Sequence, residues 1–252
     1  MNRFLKALLP FAVFKRLSMA YSVGLTLLDS PAAAWSMVWG QGERCHRFRR
    51  ILHPFTYRLT VADRDVVMQN IVRGECVGGS LPPKAEFIVD GGGYIGDSAA
   101  VFLSFYPESI CVVFEPSSNA NLAEQNLKPY GTRAAVRRAM LGRDHGHFQI
   151  FEVGTGSRVF AADSGGGRLQ VSTMDEVLRQ SPTGRIDILK LDIEGAEYDI
   201  LRPPTPWLAA VQCVVIELHG EAADRDIPGW LRDAGFAIER HRSMLFCNRP
   251  LS

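Results

Sequence analysis

From Phe87 onward the chain repeats one theme: a short apolar run, an acid or glycine at its end, and then an amphipathic stretch. Phe87-Ile88-Val89 ends in Asp90 and a glycine loop and leads into a helical stretch over Ser98–Phe105. Ile110–Phe114 ends in Glu115-Pro116 and leads into Asn119–Leu127, with Ser117 or Ser118 as its cap. Ile186–Leu191, interrupted by Asp187 and Lys190, ends in Asp192 and leads into a helix starting near Glu194. Val211–Leu218 precedes a helix over Asp224–Ala234, and Phe236–His241 with Met244–Cys247 reads as a closing antiparallel pair. Ala134–Met140 and His147–Val153 also read as strands, joined through a turn at Arg143–Gly146. Apolar runs this short are strands, and their alternation with helices predicts an α/β chain: an open, mostly parallel sheet with helices on both faces.

Upstream the pattern differs. Gly78-Gly79 and Pro82-Pro83 mark a break, which divides the chain into an arm at 1–80 and a main domain at 81–252. Within the arm, Arg44, Arg47, Arg49 and Arg50 lie near His46 and His53, so Glu43–Arg73 reads as a connector with a solvated helical face. The first apolar run, Ala7–Phe14, stops at Lys15-Arg16, and the second, Leu17–Leu28, is shorter than the roughly 20 residues that cross a bilayer. The expectation is a cytoplasmic protein whose N-terminal helix packs on the domain, pairs two copies as a homodimer, or touches a membrane surface. With 28 Lys+Arg against 27 Asp+Glu there is no field to gather nucleic acid. The five cysteines are scattered without a CxxC spacing, which excludes a disulfide scaffold or structural zinc site.

In a parallel sheet, ligands bind beyond the carboxyl ends of the strands, where the strand order reverses. That rule selects Asp90 to Ser98, Glu115 to Asn119, Asp192 to Glu197, and Glu217 to His219. Gly91, Gly93 and Gly96 satisfy GxGxxG, whose glycines let backbone approach a cofactor. Asp90, ahead of those glycines, is poorly suited beside a pyrophosphate and well suited beside a cation. Glu115, 25 residues further on, can accept hydrogen bonds from both hydroxyls of an adenosine ribose. Asp192, Glu194 and Glu197 crowd one strand-to-helix turn; the helix dipole accounts for the last two but not for Asp192.

These segments resemble the FkbM-type S-adenosylmethionine-dependent methyltransferases. The resemblance runs from about Leu59 to His219 and rests on FIVDGGGYIGDSA, VVFEPSSNANLAEQN, VSTMDEVL and, most specifically, IDILKLDIEGAEYDIL with VVIELHG. RLTVADRDVVMQNIVRGE is similar to the segment that precedes the family's domain. The chain departs from the pattern at Gly93-Tyr94, where the family usually has Ala-Asn, and at Ser118, where it usually has proline. The resemblance implies a Rossmann-like class I methyltransferase: seven strands with the last antiparallel, S-adenosylmethionine as cofactor, and a hydroxyl of a small molecule or sugar as acceptor. It places Asp90, Gly92 and Gly96 at the methionine end of the cofactor, Glu115 at the ribose, and Met140 with Leu141 near adenine, with Gly91, Gly93, Ser98 and Pro116 also binding the cofactor. Asp192 and Glu194 would face the methyl group or acceptor.

Methyl transfer needs a linear arrangement of acceptor, methyl and sulfur, and a base for the hydroxyl proton. Asp192 and His219 are the candidates for catalysis. Asp192, Glu194 and Glu217 could supply oxygen ligands to a divalent ion, but capping and strand-end roles explain them without one, and no metal is assigned. SGGGRL, around Gly165–Gly167, borders the acceptor pocket in this reading. Two other readings stay open: an NAD(P)-dependent oxidoreductase, from the literal GxGxxG plus an acid, and a non-catalytic relative in which Tyr94 has closed the pocket.

Overall fold

The computed structural model describes residues 24–145, 148–153, 156–161 and 170–250. Ala7–Phe14, most of the second apolar run and SGGGRL lie outside them. Strands β3 (Phe87–Gly91), β4 (Ile110–Phe114), β5 (Ala134–Arg137), β10 (Ile186–Leu191), β11 (Val211–Glu217), β12 (Ala237–His241) and β13 (Met244–Asn248) form one sheet in the order β12-β13-β11-β10-β3-β4-β5. Neighbours from β11 to β5 are parallel, and β13 runs antiparallel between β11 and β12, as the sequence predicted for the closing pair. The order reverses between β3 and β10, which puts the ligand-binding crevice beyond Gly91 and Leu191.

Alternation along the strands loads the two faces. Ile88, Val113, Ile188, Val215 and Phe246 point to one core, which they share with Ala99–Leu103 of helix α3 (Asp97–Phe105). Val89, Val112, Leu189, Leu191, Val214 and Ile216 point to the other, covered by α5 (Met174–Gln180), α6 (Glu197–Leu201) and α7 (Glu221–Asp233). Each fully buried aliphatic side chain is worth about 1.5–3 kcal/mol relative to exposure. Polar breaks inside β10 have partners: the Asp187 carboxylate accepts from the Glu86 and Phe87 amides at the start of β3.

Three expectations are corrected. First, Glu43–Arg73 is not a solvated helical connector. Helix α1 (Pro31–Trp39) is followed by an antiparallel ribbon, β1 (Glu43–His46) with β2 (Phe55–Arg58), then by α2 (Val61–Val66) running into a π-helical turn at Val67–Val72. Phe48, Ile51, Phe55, Tyr57, Val67 and Ile71 lie in the same core as α3, while Arg44, Arg47 and Arg49 point out to water. Arginine composition hid an apolar set spaced among the charges.

Second, Ala134–Met140 is two strands: β5 joins the main sheet, whereas β6 (Ala139–Gly142) pairs in parallel with β9 (Gln170–Thr173). The segment beyond the predicted turn, β7 (Phe148–Val153), pairs with β8 (Gly156–Ala161) rather than with β6. Third, helix α4 (Ala120–Leu127) begins one residue later than expected, and neither Ser117 nor Ser118 is its N-cap. The N-cap is Asn119, whose amide donates to Ser117 Oγ while its own side chain turns to Arg58. Likewise α6 starts at Glu197, not near Glu194, because Glu194 and Gly195 adopt left-handed backbone (φ 55° and 110°) that ends any helical run.

Candidate active site

The crevice holds a cavity of about 300 Å³ lined by Gly92, Tyr94, Phe114, Glu115, Pro116, Asn119, Met140, Leu141, Asp192, Ile193 and Glu194, with Ala62, Asp65 and Val66 of α2 along one side. Ends of β3, β4, β6 and β10 therefore meet in one place. Of the residues singled out in the sequence, Gly92, Glu115, Pro116, Met140, Asp192 and Glu194 line it; Asp90, Gly91, Gly93, Gly96 and Ser98 do not, and build its floor instead.

The floor is a buried charge network. Lys190, 1% exposed, sits directly across the β10–β3 register from Asp90. Its ammonium pairs with Asp90 Oδ1 at 3.1 Å, lies 3.7 Å from Asp192 Oδ2, and donates to the Gly92 carbonyl at 3.2 Å. Burial alone would push Lys190 down, but the carboxylates of Asp90, Asp192 and Asp97 carry it well above the usual lysine range. Ser98 Oγ donates to Asp90 Oδ2 at 2.5 Å. The Asp90 charge is thus matched inside the protein, not turned toward a ligand. Close below, Asp97 accepts from Asn70 Nδ2 at 2.7 Å, and burial pushes its carboxyl up to about 6.

The glycine loop needs its glycines for packing. Gly92 has φ +76°, and a side chain there would run into the Asp192 carbonyl; at Gly93 one would run into Val113. Tyr94, with φ +45°, forms part of the cavity wall rather than filling it. Its amide donates to Glu115 Oε2 and its hydroxyl to Asp63 Oδ1, at 2.9 and 2.8 Å. Arg58 completes this latch by donating to Asp63, Asn119 Oδ1 and the Tyr94 hydroxyl. The arm is thereby tied to the loop, a link that no sequence spacing announced.

Glu115 is held by two backbone amides, Tyr94 on Oε2 and Ser117 on Oε1, and burial raises its pKa. The Ser117 hydroxyl bonds it too, and the lone pairs left toward the cavity can accept an incoming hydroxyl. Phe114, Met140, Leu141 and Ile193 give the cavity an apolar wall beside it.

Asp192 stands at the rim; His219 does not line the cavity but lies just behind Asp192, with a partner that the sequence reading missed. Glu197 is fully buried and accepts from the Ile193 and Gly195 amides at 2.7 and 2.8 Å, which locks the turn after Asp192. It also holds His219 Nδ1 at 3.1 Å, leaving Nε2 3.8 Å from Asp192 Oδ1. The hydrogen bond to Glu197 pushes His219 up to about 9. His219 is therefore an imidazolium at neutral pH. Asp192, Glu217 and His219 each bring one ligand atom within 4.8 Å of the others, a grouping able to hold a cation. The protonated ring already supplies positive charge there.

A model of the methyltransferase FkbM domain matches residues 90–238, more than half of the chain. Methyltransferase 1 of Beauveria bassiana (strain ARSEF 2860) is 25% identical over 189 residues, 64% of this chain and 76% of that protein. Among solved structures, methyltransferase FkbM from Methylobacillus flagellatus KT aligns with a TM-score of 0.47 and 17% identity, covering 65% of this chain and 43% of that one. An O-methyltransferase family protein from Burkholderia thailandensis aligns with a TM-score of 0.47 and 14% identity, covering 75% and 58%. The chain spans less than two thirds of either solved relative. The family match begins at Asp90 and ends within β12, so it takes in the glycine loop, Glu115, Lys190, Asp192, Glu197 and His219. The chain belongs to the FkbM methyltransferase family.

Proposed function

We propose that this protein transfers a methyl group from S-adenosylmethionine to a hydroxyl of a small molecule or sugar in the cytoplasm. The observation that carries the proposal is the cavity itself: an amide-held carboxylate, Glu115, with an apolar wall on one side and the Asp192 rim on the other. This donor set suits the cofactor, since a carboxylate can take ribose hydroxyls and Phe114, Met140 and Leu141 can flank a flat base. When bound, S-adenosylmethionine supplies a methyl group made electrophilic by its sulfonium. In this reading the arm at 1–80 contributes Ala62, Asp65 and Val66 to the wall, and 81–252 supplies the rest.

The chain's own task is mostly alignment, which can supply up to about 7–11 kcal/mol of a barrier. Asp192 receives the acceptor's proton. A strong base is unnecessary, because the hydroxyl oxygen becomes steeply more acidic as its new bond to carbon forms. His219, protonated and anchored by Glu197, orients Asp192 and stabilises its charge. Glu194 lines the same cavity, and in this reading it faces the acceptor.

Calorimetric titration with S-adenosylmethionine and NADH tests the cofactor, and labelled S-adenosylmethionine incubated with fractionated extract, followed by mass spectrometry, tests the reaction. Micromolar or tighter binding of S-adenosylmethionine and a labelled ether product are expected. Binding of NADH alone would return the site to an oxidoreductase; binding of neither would make it a non-catalytic relative; label on nitrogen or carbon would overturn the hydroxyl acceptor.

A further inference from the structure

Helix α1 is apolar on two sides. Ala33, Ala34 and Met37 are buried, while Trp35 and Trp39, one turn apart with ring centroids 6.3 Å from each other, are 70% and 72% exposed. Leu27 and Leu28, in the helical stretch 24–29 just before, are 50% and 70% exposed. Four large apolar side chains bared within so short a segment mark an interaction surface, since isolated exposed hydrophobics are ordinary but clusters are not.

The described charges beside this surface are mostly basic: Arg44, Arg47 and Arg49 are exposed there, against the two acids Asp29 and Glu43. Beside the helices, His46 Nε2 meets Ser36 Oγ at 3.1 Å and the Arg49 amide donates to Asp29, which brings β1 and the following turn against α1. That turn region exposes Arg44, Arg47 and Arg49, and no salt bridge among the described residues engages them. Tryptophan favours the headgroup level of a bilayer, and basic side chains favour anionic headgroups. A second copy would bring the same basic excess against itself, and a nucleic acid could stack bases on Trp35 and Trp39 but would give Leu27 and Leu28 no apolar cover, which a lipid layer does. Among the described residues no helix is long and apolar enough to cross a membrane, so the fit is to a surface.

We propose that α1, with Leu27, Leu28 and the adjoining arginines, docks this protein on an anionic lipid surface, Trp35 and Trp39 entering the headgroup layer. The inference is independent of the methyl acceptor and of the cofactor.

Flotation of the full chain with vesicles of phosphatidylcholine alone, or of equal parts phosphatidylcholine and phosphatidylglycerol, tests it. Binding to the mixed vesicles should exceed that to phosphatidylcholine by about 100-fold or more and weaken with salt. The Trp35→Ala/Trp39→Ala chain should lose about tenfold, and Arg44→Ala/Arg47→Ala/Arg49→Ala about 100-fold, at roughly fivefold per arginine. Circular dichroism and S-adenosylmethionine binding check that both variants are folded. Equal binding to both vesicle types would overturn the proposal. So would undiminished binding of the tryptophan variant, which would leave residues 1–23 as the binder. Failure to float, combined with self-association lost in the tryptophan variant or with capture of single-stranded RNA, would assign the face to a second copy or to nucleic acid instead.

Discussion

The floor and the rim of the crevice use the same residue types to opposite ends. On the floor, Asp90, Lys190, Ser98, Asp97 and Asn70 are buried and bonded to one another, and none of them lines the cavity. On the rim, Asp192 and, just behind it, His219 are about a quarter exposed at their side chains and meet at 3.8 Å, too far for a committed hydrogen bond. Charges locked into pairs fix the path of the glycine loop. Charges left loosely paired stay available to a substrate. Glu115 stands between, bound by two amides yet open to the cavity.

The contrast can be broken first at Lys190. Lys190→Met leaves Asp90 buried without a counter-charge and should cost about 3–5 kcal/mol of stability. Urea unfolding would measure it, and adding Asp90→Asn should restore part of the loss; a cost below 1 kcal/mol would mean the floor is not held by charge. At the rim, His219→Ala takes the partner from buried Glu197, so it should cost about 1–3 kcal/mol of stability, less than the floor variant, while lowering turnover by about 100-fold. In the unmodified protein turnover should fall as pH rises through about 9, because the working form of His219 is protonated. Glu197→Gln should move that fall toward the ordinary histidine value of 6.5. A rate that climbs up to pH 9 would instead make His219 the base.

Between the two, Glu115→Ala should weaken S-adenosylmethionine binding by about 10- to 100-fold, the worth of hydrogen bonds to a charged acceptor, with turnover at saturation little altered. Calorimetry with single-turnover kinetics separates these; equal loss in both would place Glu115 in the chemical step. An effect of opposite sign, a gain in stability, should come from Asp97→Asn. Asp97 has a folded-state pKa near 6 against an ordinary 3.8, so the native state binds the proton more tightly and stability falls as pH rises from about 4 to 6. The substitution should therefore stabilise the protein by about 1–3 kcal/mol at pH 8 and little at pH 4. Thermal melts at the two pH values would show it.

The sheet was legible because strand length and alternation are local properties, and the acids at strand ends followed from the position of the crevice. Lys190 was not. Inside Ile186–Leu191 it reads as a flaw in an apolar run, and only the pairing of β10 with β3, a contact across 100 residues of sequence, sets it opposite Asp90. Glu197 was hidden for a related reason: as a third acid near a helix start it has a sufficient local explanation, while its bonds to His219 and to the Ile193 and Gly195 amides depend on a left-handed turn at Glu194. The latch of Arg58, Asp63, Tyr94 and Asn119 joins three distant segments, and the basic composition of Glu43–Arg73 pointed away from it.

The π-helical turn at Val67–Val72 carries a consequence for how this chain can change over time. An α-helix advances about 100° per residue. A wide turn accommodates one residue more than an α-helical turn would, and here it delivers Asn70 to Asp97 beneath the glycine loop. Losing a single codon in this stretch would restore an ordinary helix and swing Asn70 about 100° away. Insertions and deletions should thus be tolerated in the loops around the crevice long before they are tolerated in this one turn, which acts as a spacer that keeps the arm in phase with the sheet.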